Sequence, residues 1–546
     1  MSAPGRSDVT WLLELDLGAG THRYAVEDTS APSRIAGGTT TLYKGGLTIG
    51  DASPDSDSVS CSVRIEGLAA LVLQLLTLTG RRAVLRAYRG ESYVEDATAL
   101  VGAIGSVEWG TPGDEERLSM TIERPSDEAG DALCDPGDVI ASETMGTWDY
   151  DLDREGEVMP VVIGCPGRIA QEGGTRAAPV VPAIVVDGLV GHKRILVAAH
   201  RVAAATVDIH NLTDPALTTT GVTIIHEADN TGRTRALVDN AANVYGFAGD
   251  VLWTGWQAAY GGGLMSRGRV IDGVGDLLLY GCDTYGRGAY DLPRIETERE
   301  RLNAYKIDCV WNELAATWPE WLQSMVLEPF GIERVNGPNG TWFRRVPWVA
   351  RAAFARVHLT TSADDVTGQL GHLVVSPDGG VGETSEEVAN RITIAYSPAE
   401  LSEQIFRCQT IVAPYAEERG DVIGWRFQTH PLATRSAAVQ LARRRLLPGS
   451  GGGASVDGVV SRTFTLSQVH DPPTALLLAY DRLHRHALPH LLATYTGGRE
   501  LLDFPGYTEV LLTDAPRGLA GRPALLLPGA VVAGRKVTIR VRIPPL

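Results

Sequence analysis

The chain has 546 residues, 44% of them hydrophobic and 21% charged, which suits a folded protein and excludes a disordered or collagen-like one. At ~100–200 residues per domain, this length implies about three to five domains, each large enough for its own core. The formal charge of −17 disfavours non-specific binding to duplex nucleic acid, because affinity for phosphate comes from Lys and Arg. Lysine is confined to Lys44, Lys193, Lys306 and Lys536, so nearly all positive charge is arginine. The 61 Gly and 30 Pro suit a turn-rich, mostly β protein. The six Cys are scattered without a CxxC pair and read as reduced structural thiols, with Cys61 a small buried hydrophobe. Residues 1–8 are short and polar, so no signal peptide is expected, and no apolar run reaches the ~20 residues of a membrane span.

The chain opens on strict alternation. Leu13, Leu15 and Leu17 flank Glu14 and Asp16. Val59, Cys61, Val63 and Ile65 flank Ser60, Ser62 and Arg64. Leu118, Met120 and Ile122 flank Ser119 and Thr121. Successive strand side chains point to opposite faces, so each segment has a core face and a polar face. With weaker strands at 82–88 and 100–108, residues 10–123 predict a closed antiparallel β module. A Pro/Asp/Gly-rich linker follows at 124–138. Short strands at 183–186, 193–197, 205–209 and 222–226 predict a second β module. Residues 247–364 concentrate Trp and Tyr, with a helix at 319–328 opened by Pro319, and predict an aromatic core. Beyond a Gly- and acid-rich loop at 376–387, residues 390–396 read as a strand paired with 401–412. Residues 436–447 (SAAVQLARRRLL) read as a helix ended by Pro448, and 448–454 as a flexible loop. Strands are expected at 461–468, 475–480, 508–512 and 536–543.

Catalytic motifs are missing: there is no GxxxxGK[ST], no GxSxG and no GxGxxG after a strand. The chain therefore reads as a non-enzyme without cofactors. His226-Glu227 starts like a zinc-protease helix, but Asn230 stands where the second His belongs. Asp149, Asp151 and Asp153 have the spacing of calcium-loop ligands, yet Arg154 and Pro160 occupy the Gly and Glu positions, which favours a solvated acidic linker. His484 and His486 would share one face of a strand near His490, and ordinary surface histidines are the simpler reading. No metal site is assigned. Arg443, Arg444 and Arg445 could touch phosphate, but Arg near a helix C-terminus also complements the macrodipole, and a solvated or subunit-facing stripe is the default reading.

The order of these elements resembles the baseplate hub, or tail-tip hub, proteins of tailed bacteriophages. WLLELDL, SVSCSVRIEG, RRAVLRAYRG and VGAIGSVEWG carry a module like the tail-tube β-barrel. EVMPVVIGCPG, the Trp/Tyr region, NRITIAY and the Ala/Leu/Arg helix follow in the family's order. The resemblance implies a mainly β fold with some α (a β-rich α+β), multidomain, with tail-tube-like β-barrels and an aromatic-rich α+β domain. The expected domains are 1–125, 126–246, 247–385 and 386–546, with the second barrel built from 390–412 and the strands after 461. It further implies a homotrimer in the virion, synthesised and assembled in the host cytoplasm. Two barrels per chain would match a threefold tip to a hexameric tail tube. The implied partners are a tail tube or distal tail protein above, tip, spike or fibre proteins below, and a tape-measure protein inside. DNA would pass through an acidic lumen without specific binding. Glu14, Asp16, Ser60, Ser62, Arg64, Ser119 and Thr121 are then candidates for the channel lining or a subunit contact. The rival readings are a glycan-binding or glycan-degrading tail protein, resting on the aromatics, and a hexameric distal tail protein.

Overall fold

The computed structural model describes residues 9–16, 21–25, 41–43, 48–49, 58–64, 79–89, 92–93, 100–111, 114–123, 133, 136–150, 152–165, 181–189, 192–211, 219–239, 256–259, 262–286, 290–311, 317–337, 340–361, 368–376, 391–399, 405–412, 461–486, 490–498, 500–501, 504, 506–533 and 536–544. Within them the protein is a β-rich α+β chain, with several sheets and few helices. The helix expected at 436–447 and the loop at 448–454 lie outside the described residues, as does nearly all of the loop at 376–387.

The alternating N-terminal segments form one nine-stranded sheet. Its strands are β1 (Val9–Asp16), β2 (Thr21–Ala25), β3 (Thr41–Tyr43), β4 (Thr48–Ile49), β5 (Ser58–Arg64), β6 (Arg82–Arg89), β7 (Ser92–Tyr93), β8 (Leu100–Thr111) and β9 (Asp114–Glu123). They run β3-β2-β1-β6-β8-β9-β5-β4, with β7 on β6. Two details differ from a closed antiparallel module: the described pairings trace an open path, and β2 pairs β3 in parallel. The core face is the expected one. Leu13, Leu15, Val59, Cys61, Val63, Ala83, Leu85, Ile104, Leu118, Met120 and Ile122 are all buried. Burial of such a side chain is worth about 1.5–3 kcal/mol, whereas a polar cross-strand pair contributes about 0.2–1. The apolar face therefore holds the module together, and the polar face is left available for other work.

The second β region is an eight-stranded sheet containing Ile184–Leu189, His192–Ala198, Thr234–Asp239, Thr219–Ala228 and Thr206–Asn211 as successive neighbours. Both faces are covered. Ile184, Val186, Leu196 and Leu237 join one core, and Val185, Ile195, Val197 and Val238 join another. The supposed linker at 124–138 ends instead on an anchored 3-10 turn, Pro136–Asp138, whose Gly137 carbonyl accepts from Arg235 Nη2 at 2.7 Å. Asp149–Tyr150 pairs as a short strand with Ile184–Leu189, and the acidic stretch after it, with Asp153 and Glu155, is exposed.

The aromatic region is α+β. Helix α1 (Val274–Tyr285), α2 (Leu292–Leu302) and α3 (Trp318–Leu322) pack with the hairpin of Ile332–Gly337 and Gly340–Arg345. Helix α3 is capped where Pro319 predicted, with Glu320 Oε2 accepting from Thr317 N and Oγ1 at 3.2 and 2.8 Å. Trp318 and Trp321 stack at 5.8 Å, Trp311 meets Trp321 edge-on at 5.0 Å, and all three are buried. These rings form a core, as the sequence predicts.

The C-terminal strands depart from the expected grouping. Arg391–Ala399 pairs Ile405–Val412 antiparallel, as expected, and Ser461–Leu466 in parallel, forming a three-stranded sheet. Strands after 490 belong elsewhere, in a seven-stranded sheet with Val357–Thr360 and Gln369–Ser376. The strand expected at 475–480 is part of helix α4 (Pro472–His486). Asp471 Oδ2 caps it, accepting from Thr474 N and Oγ1 at 3.0 and 2.6 Å. Ala475, Leu478, Ala479 and Leu483 then fall on one helical face, all buried.

Candidate functional site

The polar face of the N-terminal sheet gathers most of the candidate residues by register. On β5 and β9, Ser60 lies opposite Thr121, Ser62 opposite Ser119, and Arg64 opposite Arg117. Strand β8 extends two of these rows, placing Ser106 against Thr121 and Glu108 against Ser119. A bulge after Ile104, at Gly105, sets that phase. A Cβ there would sit 2.1 Å from the Glu123 carboxylate, which crosses the bulge.

Two rows result, and they differ. Ser106 N donates to Thr121 Oγ1 at 2.9 Å, and the two hydroxyls lie 2.7 Å apart beside exposed Ser60. In the next row Arg117 Nε and Nη2 donate to Ser62 Oγ at 3.2 and 2.9 Å, which leaves Ser62 buried beneath the guanidinium. Glu108, Arg117 and Glu123 are exposed. Glu14 is half-buried on β1, opposite Arg23 and Val84, and Asp16 lies opposite Thr21. Strand order separates β1 from β9 by β6 and β8, about 14 Å at the usual strand spacing. The seven candidates thus form two groups. Sequence reasoning missed Ser106, Glu108 and Arg117, although the alternating polar positions of β8 and β9 carried the signal.

This surface can offer hydroxyls and mixed charges to a neighbour. The Cys61 thiol under the sheet is pushed up to about 12 by burial, consistent with a small hydrophobe.

The remaining candidates are dispersed. His484 and His486 sit in the last turn of α4, and two helical steps point them to opposite sides. Burial lowers the pKa of His484. The His486 ring lies 5.7 Å from Phe464, and Nε2 of His490 lies 3.0 Å from the His484 carbonyl. Asp153 is exposed in a 3-10 turn, Asp151 lies outside the described residues, and Asp149 occupies its edge strand. His226 Nε2 accepts from Val202 N at 3.3 Å. Among the described residues no three His, Cys, Asp or Glu side chains converge as a metal ion would require, and no helix is long and apolar enough to cross a membrane.

One charged cleft of about 260 Å³ went unforeseen. It lies between the tight turn at Arg267 and helices α1 and α2. Arg267 reaches Asp283 and Glu296 at 3.6 Å each, and Arg299 pairs with Glu296 at 2.9 Å and Asp276 at 3.6 Å. Its residues come from separate elements and form no motif, so nothing in the sequence announced it.

No protein-family model matches the chain, and no curated protein does. Among solved structures, the chain is similar to a tail protein from Neisseria meningitidis MC58, with 10% identity over 98% of this chain and 96% of that one, and a TM-score of 0.32. It is also similar to the 43 kDa tail protein of prophage MuSo2 from Shewanella oneidensis, with 10% identity, 98% of each chain covered and a TM-score of 0.33. A chain in the virion of a native gene transfer agent particle has 12% identity over 76% of this chain and 87% of that one, with a TM-score of 0.34. Similarity of this degree leaves function to be argued from the residues themselves.

Proposed function

We propose that the chain is a structural protein of a bacteriophage tail: a trimeric tail-tip hub that adapts the hexameric tube to a threefold tip and gates genome ejection. The observation that carries this reading is the two-faced N-terminal sheet. Its apolar face forms a core, and its opposite face presents rows of polar side chains across β8, β9 and β5. Such a sheet is what one sector of a ring requires, with one face for the subunit and one for lumen or neighbours. The order of elements along the sequence supports the same assignment. In this proposal the tube or distal tail protein docks above, tip proteins dock below, and the tape-measure protein and then DNA occupy the axis. The chain acts at the tail tip of the virion, by steric and conformational means. The net charge of −17 favours a lumen that phosphate does not adhere to.

The glycan reading draws less support. It needs exposed coplanar rings, whereas Trp311, Trp318 and Trp321 interlock in the core.

Symmetry of the purified or virion-bound assembly, measured by electron cryomicroscopy and particle mass, tests the proposal. A threefold particle with an axial channel is expected. A sixfold ring would favour the distal tail protein, and a monomer that cleaves glycans would overturn the hub.

A further inference from the structure

Two hydrophobic cores meet in the C-terminal half without sharing a residue. One contains Phe330, Ile332, Phe343 and Leu478, and the other Val510, Leu526, Ile539 and Val541. The second is assembled from 357–376 and 490–543, so the chain crosses between the two bodies several times. Their seam is closed by charge and aromatic faces. Arg344 Nε donates to Glu333 Oε1 at 2.5 Å, and the Tyr507 hydroxyl donates to the other oxygen of that carboxylate at 2.5 Å. The Arg344 guanidinium also lies 4.4 Å from the Tyr507 ring centroid. Nearby, Arg542 and Arg485 approach the Trp348 ring at 4.3 and 5.1 Å, and Arg542 Nη1 donates to the Pro347 carbonyl at 3.1 Å.

The backbone of Tyr507 is strained. Its φ is +63°, a region that penalises any residue with a Cβ. Arg267 is the other described non-glycine residue with positive φ, and both residues lie in turns. Strain persists where surrounding contacts hold it. Here the holders are the hydroxyl on Glu333, the Arg344 guanidinium over the ring, and the Tyr507 N–H, which donates to the Leu526 carbonyl at 2.6 Å.

We propose that Tyr507, Glu333 and Arg344 form a latch, and that releasing it lets the sheet of 357–376 and 490–543 part from the helical core along this seam. Guanidinium–aromatic contacts separate into water at a smaller cost than an apolar interface does, because water solvates the released charge. The strained backbone of Tyr507 favours the open state once its hydroxyl is free. The latch is independent of the tail assignment.

Hydrogen exchange on the full chain tests it, comparing the natural protein with Tyr507→Phe and Glu333→Gln. Tyr507→Phe keeps the ring beneath Arg344 and removes one hydroxyl. The expected result is exchange about tenfold faster at the latch turn, read at the amide of Tyr507, a factor equivalent to about 1.4 kcal/mol. Amides within 536–543 and 274–285 should keep their protection. A seam change below about twofold, or equal acceleration in both cores, overturns the latch. Should the Phe variant fail to fold, Glu333→Gln carries the same test: faster exchange confined to the seam supports the latch, and its absence overturns it.

Discussion

Arg235 ties the second β region to the turn that precedes it. Its side chain is fully buried, and all three of its guanidinium nitrogens are engaged. Nε and Nη2 reach Asp229, Nη1 reaches Asp138 and the Ala199 carbonyl, and Nη2 also reaches the Gly137 carbonyl. Burial alone would push the Asp229 carboxyl up. Bonds from the Thr231 hydroxyl, the Arg235 guanidinium and the Arg233 N–H outweigh it and hold the pKa below the ordinary carboxylate value. Removing the charge with Asp229→Asn leaves the buried cation with Asp138 as its carboxylate partner, so the cost should be that of a charge-assisted bond, about 1.5–3 kcal/mol. Chemical denaturation at pH 7 should show that loss. The sign with pH follows from the depressed value. The carboxylate's contribution is present above its unfolded pKa of about 4 and fades as pH falls through the lower native one. The gap between natural and Asn proteins should therefore be constant between about pH 5 and 8 and close below about pH 4. A gap that persists in stronger acid would mean that shape, and not charge, holds the site.

Helix α1 meets the tryptophan cluster through Gly281, where an added Cβ would lie 2.1 Å from Trp318 Cη2. Gly→Ala within a helix ordinarily gains about 1 kcal/mol. Here the indole is stacked on Trp321 and flanked by Tyr285 and Trp311, so it cannot yield, and overpacking costs about 1–3 kcal/mol. Gly281→Ala should lower the melting midpoint and alter the near-ultraviolet tryptophan signal, and an unchanged signal would show that the cluster repacks freely. This cluster was legible in the sequence because large aromatics concentrated in one region have few places to go but inside. The N-terminal strands were legible for a similar reason: period-two alternation states which side chains face the core. Helix α4 was not. Its Ala-Leu-Leu-Leu-Ala-Tyr run is apolar over too short a window to separate strand from helix, and the decisive signal lay upstream in the Asp471-Pro472-Pro473-Thr474 cap. Pairing order was hidden as well. That β1 neighbours β6, and β9 lies between β8 and β5, is set by long-range packing that no local pattern encodes. The candidate face was half-legible for this reason: Ser60, Ser62, Ser119 and Thr121 were found, and Arg117 and the partners on β8 were not.

At the scale of the whole molecule, the polar rows must face a lumen, a neighbouring subunit or open solvent, and each leaves a different trace. Ser60 and Thr121 are cross-strand partners on the polar face, Ser60 exposed and Thr121 bonded to Ser106. Replacing both with arginine adds two positive charges per chain, on a face that contributes little to the module's own stability. If the rows line the channel of an assembled tail, the double variant should assemble and bind passing DNA through phosphate contacts. Ejection would then slow at low ionic strength and recover at high, because each contact released returns counterions to solution. If the rows meet a neighbouring subunit, two facing guanidinium groups should block ring formation, and particle mass would fall to that of the monomer. Normal assembly with normal, salt-independent ejection would place both residues in open solvent and remove the observation on which the hub assignment stands.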